Sequence, residues 1–454
     1  CDPLELVGGQ SIDPGCGLFV DPAAADGGDG TQQNPFNRLA DAIAEAKMQI
    51  PTRNVYVCAS SDPINEAIVL DDKEYLVGGV DCATWQAAGG RTEWSDMSGG
   101  IPLTLEGTES AHVQGFRILA QPNLGFDPGT LQGNSSIAVL ANGAIATLQD
   151  VEIIASAAGN GGDGLNQTGQ APGRQSAPAS FDGNPGGDCG DDTGNGLKLF
   201  MCPGGVSTSG GAGGDGNLAV GGDGFDGTPD LSAPTGNGGD GEPSTGGWTC
   251  NGNFGNGTFG LEGANGNPGS GGLATTGTLS AAGYAGNNGN AGTNGGPGEG
   301  GGGGGGRKGN NNNGCSTGVA GPSGGSGGAG GCGGLAGGGG GAGGASIALL
   351  SLGSMLILTD VSLTSAAGGN GGRGGNGQAF GLGGNGADGG AGIACDGGDG
   401  GNGGAGGPGG GGAGGPSLGI AYVGTLPDLG STSITTAAVA AMGGPGGNGG
   451  ITGD

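Results

Sequence analysis

Positive charge is scarce in this sequence. There are 11 Lys and Arg against 40 Asp and Glu, a formal net charge of −29, and one histidine, His112. Such a chain repels a polyanion or an anionic membrane surface, which sets nucleic-acid binding aside. A single imidazole leaves His-dependent nucleophilic sets and His-rich zinc sites with one candidate residue, and no CxxC pair is present to replace it. Aromatic residues make up 4%, and no apolar run approaches the length that crosses a bilayer. The chain starts at Cys1 without an initiator Met and so reads as a processed form.

What is abundant is glycine. The 454 residues include 130 Gly and 23 Pro, about a third of the chain, a level that alone reads as disorder. Cysteines placed inside the glycine-rich part argue instead for order. Ten cysteines point to disulfides formed in an oxidising compartment, and hence to export. Cys58 with Cys82, and Cys189 with Cys202, are the natural neighbours to pair; Cys250, Cys315, Cys332 and Cys395 read as staples of the glycine-rich part, with the connectivity open. Cys1 has two readings: a lipid anchor, as in a matured bacterial lipoprotein, or a disulfide with Cys16.

Along the chain, Gly17 to Asp21 reads as a strand and Asp29-Gly30-Thr31 as a turn. Phe36, Leu39, Ala40, Ile43 and Ala44 then recur at helical spacing. Short Val-, Ile- and Leu-rich strands follow at 54–60, 67–79, 102–107 and 112–120. The stretch "SSIAVLANGAIATLQDVEIIASAAGNGGDG" (135–164) aligns without a gap on "ASIALLSLGSMLILTDVSLTSAAGGNGGRG" (345–374), and a weaker third copy begins at Ser417. Internal repeats mean stacked units. Each unit reads as two strands joined at a corner such as Asn142-Gly143, in about 22 residues, the size of one coil of a parallel β-helix. In the segment 102–120, Leu103, Leu105, Phe116 and Ile118 are the inward positions.

The run "LFVDP…DGGDGTQQNPFNRLADAIAEA", with "NVYVCAS", "YLVGGVDCATW" and "VQGFRILA", resembles the start of a right-handed parallel β-helix of the pectate-lyase-like superfamily, in the branch common among exported bacterial proteins. The resemblance implies that Thr31, Pro35 and Phe36 lead into a helix plugging the open end of the solenoid. The expected fold class is thus an all-β solenoid, a short right-handed parallel β-helix with an N-terminal capping helix, carrying glycine-rich insertions. The expected division is 1–16 linker or anchor, 17–158 capped β-helix, 159–344 glycine-rich insertion, 345–366 a rung, 367–416 a second insertion, and 417–454 a final rung and tail.

Within "DGGDGGNGGAGGP" (396–408) the non-glycine residues recur every third position. Period three is that of the polyproline-II-type helix. A GGX repeat leaves two faces bare, so that neighbouring helices approach closely while X projects from the third. The pattern resembles the polyglycine-II bundles of certain antifreeze and phage-fibre tip proteins. Collagen needs a strict Gly-X-Y and far more proline. Gly300 to Gly309, "GGGGGGGRKG", loses the triplet phase and reads as a loop at a bundle end, as does "NNNNG" from Asn310 to Gly314.

Catalytic chemistry on a parallel β-helix needs clustered carboxylates and a basic residue on one face. Asp150 and Asp360 occupy equivalent corners and read as turn caps. His112 reads as a surface or cap residue and Arg117 as an outward, solvated one. "GGAGGDGNL" (210–218) and "GGDGFDG" (221–227) approach the nonapeptide of calcium-binding β-rolls, but with the apolar position and the spacing wrong. The expectation is therefore a non-enzymatic structural protein without a cofactor, structural Ca²⁺ being the minor alternative. Its setting is extracellular or at the cell surface, as scaffold, adhesin or matrix component. The partners expected are further copies of itself, joined head to tail through the open edge of the last rung into a filament or surface layer, or a surface polysaccharide; a membrane is met only through a lipid on Cys1. A carbohydrate-active or carbohydrate-binding β-helix is the alternative function.

Overall fold

The computed structural model describes residues 11–71, 73–191, 193–231, 234–251, 254–309 and 314–454. The fold is all-β with few helices, and its main sheets are parallel. Three such sheets, of six, five and six strands, run side by side. The chain visits each once per turn, an arrangement compatible with a parallel β-helix.

One turn shows the logic. Ser136–Asn142 lies in the second sheet, Ile145–Gln149 in the first and Glu152–Ala155 in the third. Each pairs in parallel with its counterpart 210 residues later: Ile137 with Ile347, Leu148 with Leu358, Ile153 with Leu363. The alignment read from sequence is thus the physical register. The unit has three strands rather than two, because two corners break it. Gly143 and Gly353 take positive φ at one (67° and 63°), Asp150 and Asp360 at the other (51° and 54°). Asp is among the few non-glycine residues that visit this region readily.

Side chains from all three sheets meet in one core. Leu103, Leu105, Phe116 and Ile118 are fully buried there, as expected, with Trp94, Leu148 and Leu349. Helix α1 (Leu39–Met48) covers the first turn with Leu39, Ala42, Ile43 and Ala46. Ala44, expected in that stripe, is exposed. Lys47 at its end pairs with Asp71 and, at 2.9 Å, with Glu74. Two strands of the second sheet, Ser136–Asn142 and Ser346–Leu352, are buried on both faces, their outer side forming a separate cluster with Leu279 and Tyr284 of the hairpin Thr278–Ser280 and Gly283–Ala285. A strand covered twice has no polar face, which accounts for the unbroken apolar reading of "SIAVLA".

The glycine-rich segments carry almost no regular strand or helix, yet their backbones are paired. Every third amide from Gly325 to Gly343 donates to a carbonyl 70 residues later, Gly325 to Cys395, Gly328 to Gly398, and so on to Ala413. Of the run expected to be a loop, Gly300 to Gly309, the part Gly300 to Gly306 is instead wholly buried. Its amides turn in succession to three neighbours: Gly300, Gly303 and Gly306 donate to Thr228, Phe225 and Gly222; Gly301 and Gly304 to Gly328 and Gly325; Gly302 and Gly305 to Thr258 and Gly255. Its carbonyls accept from three further segments, through Gly211, Gly239 and Gly398. With a neighbour on every side no X residue fits, and the triplet phase disappears for that reason. Asn310–Asn313 fall outside the described residues.

Candidate functional site

The cysteines come first because they fix the geometry. Cys58 and Cys82 are bridged, the neighbour pairing expected. Cys189 and Cys202 are not bridged to each other: Cys189 joins Cys315, Cys202 joins Cys332 and Cys250 joins Cys395, across 126, 130 and 145 residues. The segments lie side by side in space though far apart in sequence, so proximity along the chain misleads. Cys16 is disulfide-bonded. The lipid-anchor reading of Cys1 falls outside the described residues. Four such bridges suit an oxidising, extracellular environment, and among the described residues no helix is long and apolar enough to cross a membrane.

Of the candidate catalytic residues, Arg117 and Asp150 meet in one ion-pair network, through Glu152 and Arg91. His112 is buried rather than on the surface, its ring 5.8 Å from that of Tyr75, its register partner on the preceding strand. Arg117 points outward as expected but is paired, with Glu93 at 2.7 Å and Glu152 at 3.2 Å, its neighbours across the ladder. Asp150 and Asp360 do stack at one corner. Among the described residues neither carboxylate caps a backbone amide, however: Asp150 binds Arg91 at 2.7 Å, and Asp360 accepts from the Ser431 hydroxyl at 2.6 Å. These are exposed ion pairs and hydrogen bonds of modest worth.

The calcium reading meets a competing use of the same carboxylates. Asp223 and Asp226 each accept a backbone amide of the adjacent segment, from Gly241 and Gly238 at 2.8 Å, and Asp215 accepts from Gly194. A grouping of Asp21 with Cys58 and Cys82 has metal-ligand spacing, but both sulfurs are spent in their disulfide.

This use of side-chain oxygen is systematic, and sequence reasoning missed it. The amides of Asn370, Arg373 and Asn376 donate at 2.7–2.8 Å to Asn160 Oδ1, Asp163 Oδ1 and Asn166 Oδ1. The amides of Met442 and Asn448 in turn donate to Asn370 and Asn376. Each such exposed bond is worth about 0.5–1.5 kcal/mol at most, and an Asn or Asp at X supplies the carbonyl that no glycine offers. The Asn160, Asp163 and Asn166 side chains are exposed, as expected of X, but they also reach the backbone of the neighbouring segment. Ser323, Ser326, Ala329 and Cys332 form a row of X positions that is completely buried, with Asn184 and Gly187 donating to the two serine hydroxyls at 2.7 Å. The signal was the recurrence of Asn and Asp at X.

The two ends of the rung stack differ. At the first turn, the outer edge of Gly17–Val20 is occupied: Phe19 N donates to Gly30 O, and Phe36 N donates to Phe19 O. At the last, Ser417–Val423 and Ser433–Thr435 are terminal strands of their sheets, paired on one side only among the described residues. Tyr422, Val423, Leu426 and Ile434 are about half exposed there. Comparison with protein-family models, with curated proteins and with solved structures returns no match to this chain.

Proposed function

We propose that this chain is an extracellular structural scaffold, in which a right-handed parallel β-helix of the pectate-lyase-like kind carries a polyglycine-II bundle that it displays as a rigid body. The observation that carries the reading is the three-way backbone pairing of Gly300–Gly306, one direction per residue, as a helix of three residues per turn requires. At about 3.1 Å per residue, the ladder from Gly325 to Gly343 spans about 56 Å. Three long-range disulfides hold such segments together. A body of this kind is suited to cell-surface adhesion or matrix building.

Self-association follows from the open last rung, since an unpaired edge bearing apolar side chains is a template for another strand. The first rung has no matching edge, so two copies meet tail to tail across a two-fold axis, which closes as a dimer. Light scattering after size exclusion tests this over a wide concentration range. The reading predicts a dimer that Ile434→Lys and Tyr422→Lys dissociate; a monomer at every concentration contradicts the association. A bundle that exchanges its amides freely contradicts the scaffold itself.

A further inference from the structure

The Arg307-Lys308 pair ends the long glycine run, and these are two of only 11 basic residues in the chain. Both serve one loop. Glu242, only 8% exposed, is paired with Arg307 Nε at 3.3 Å and with Lys308 Nζ at 3.4 Å. Lys308 Nζ also donates to the carbonyls of Pro243 and Ser244 at 2.8 and 3.3 Å. At the loop's far end Cys250 is bridged to Cys395. The loop is therefore fixed at both ends by a buried charge cluster and a disulfide.

What it holds is Trp248. The other two tryptophans, Trp85 and Trp94, are core residues at 5% and 0% exposure, whereas Trp248 lies at the surface, partly covered. Its indole N–H donates to Asp240 O at 2.9 Å, and the Arg307 guanidinium stands 5.8 Å from its ring centre. Beside it opens a cavity of about 550 Å³, lined by Trp248, Phe254, Thr249, Pro243, Asp223 and Asp240. Phe254 is 64% exposed. One Asp223 oxygen accepts from Gly241, and the Asp240 carboxylate carries no hydrogen bond among the described residues.

The chemistry of the walls selects a ligand. Aromatic surfaces ask for apolar faces, while acceptor-only carboxylates ask for donors. An anion is repelled by Asp223 and Asp240 and by the net charge of −29. A cation meets Arg307, already placed at the Trp248 ring, with Lys308 next to it. A neutral hydroxyl-rich ring has C–H faces for Trp248 and Phe254 and O–H donors for the two carboxylates. The volume lies within the range of small-molecule sites, about 300–1,000 Å³.

We propose that the Trp248 pocket is a binding site for neutral saccharides. The site is pre-formed, because the clamp fixes the ring before any ligand arrives, which removes part of the ordering cost of binding. The proposal stands whether or not the chain self-associates.

Isothermal titration of the full, disulfide-bonded chain tests it, with oligosaccharides of glucose, mannose, galactose and N-acetylglucosamine as probes. Oligogalacturonate and tetramethylammonium serve as the anionic and cationic comparisons. The expected result is binding of at least one neutral probe, weakened about tenfold or more by Trp248→Ala and by Asp240→Asn. Thermal melting identifies a Trp248→Ala protein that fails to fold; Phe254→Ala, at an exposed position, then carries the same expectation. Binding of none of the neutral probes, binding of only the charged ones, or neutral binding that survives these substitutions in folded protein overturns the proposal.

Discussion

The rung stack and the glycine array share one stacking operation and hold it with different chemistry. Between residues 135 and 168 and their counterparts 210 residues on, the register passes without interruption from paired strands, Ile137 on Ile347, to paired glycine segments, Asn160 on Asn370 and Asn166 on Asn376. On the rung side the strands enclose apolar side chains, and burial of those side chains supplies the stabilisation. On the array side apolar burial is confined to a small cluster around Phe181 and Phe200. The backbone itself is the packing surface, and its hydrogen bonds, side-chain carbonyls and three long-range disulfides oppose the conformational entropy of glycine. A core of side chains adjusts to a changed volume; an array of backbones in direct contact has no soft layer with which to adjust.

The largest separation between the two regions is expected from the disulfides. The array bridges span 126, 130 and 145 residues, the rung-side bridge Cys58–Cys82 only 24. Chain-entropy arguments give about 4–5 kcal/mol for each long bridge and about 3 kcal/mol for the short one. Replacing all three array pairs by serine is expected to abolish amide protection in the array while leaving it on Ser346–Leu352, read by hydrogen exchange. Loss of protection on both sides together would mean that the two regions fold as one unit.

Single methyl groups sharpen the comparison. A Cβ on Gly303 would overlap the carbonyl oxygen of Ala212, a backbone atom in a paired segment. Gly303→Ala is expected to cost about 3 kcal/mol, the upper range for overpacking. Ile118→Val, one methylene removed from the fully buried core, is expected to cost about 1 kcal/mol. Denaturant midpoints measure both, and a Gly303→Ala protein as stable as the parent would show that the array is loosely packed.

Acid gives the smallest effect. Several rung-side carboxylates are held below the ordinary value of 3.8: Asp71 by Lys47, Asp81 by the Thr84 hydroxyl, Asp96 by the Ser98 hydroxyl and Asp127 by the Gly129 amide. A depressed carboxylate contributes stability that is fully present above its unfolded value and is lost as pH falls through its folded one. The rung side should therefore soften as pH falls below the ordinary carboxylate range. Near-ultraviolet dichroism, which samples the buried Trp94 and Phe116, checks it; a signal unchanged to the lowest pH would contradict it.

Sequence made the rungs legible because alternation and repetition are local properties. Leu103, Leu105, Phe116 and Ile118 lie inside as their pattern required, and the offset of Ile137 from Ile347 is the true register. The rest was hidden by its dependence on neighbours distant in the chain. Cys202 pairs with Cys332 because two segments 130 residues apart lie side by side. His112 is buried because Tyr75, on the previous turn, covers it. Gly300 to Gly306 read as a loop because no X residue marks its phase, whereas six neighbouring segments are what exclude X. Trp248 carried no local signal, since the residues that fix it, Arg307 and Lys308, are about 60 positions away.

Residue-level hydrogen exchange on the native, oxidised protein tests the central claim most directly. If the glycine array is a backbone-bonded solid, the amides of Gly300–Gly306 and Gly325–Gly343 are protected to the same order as those of the core strand Ser346–Leu352. Exchange of those glycines at the rate of an unstructured chain, with the core strand still protected, would contradict it.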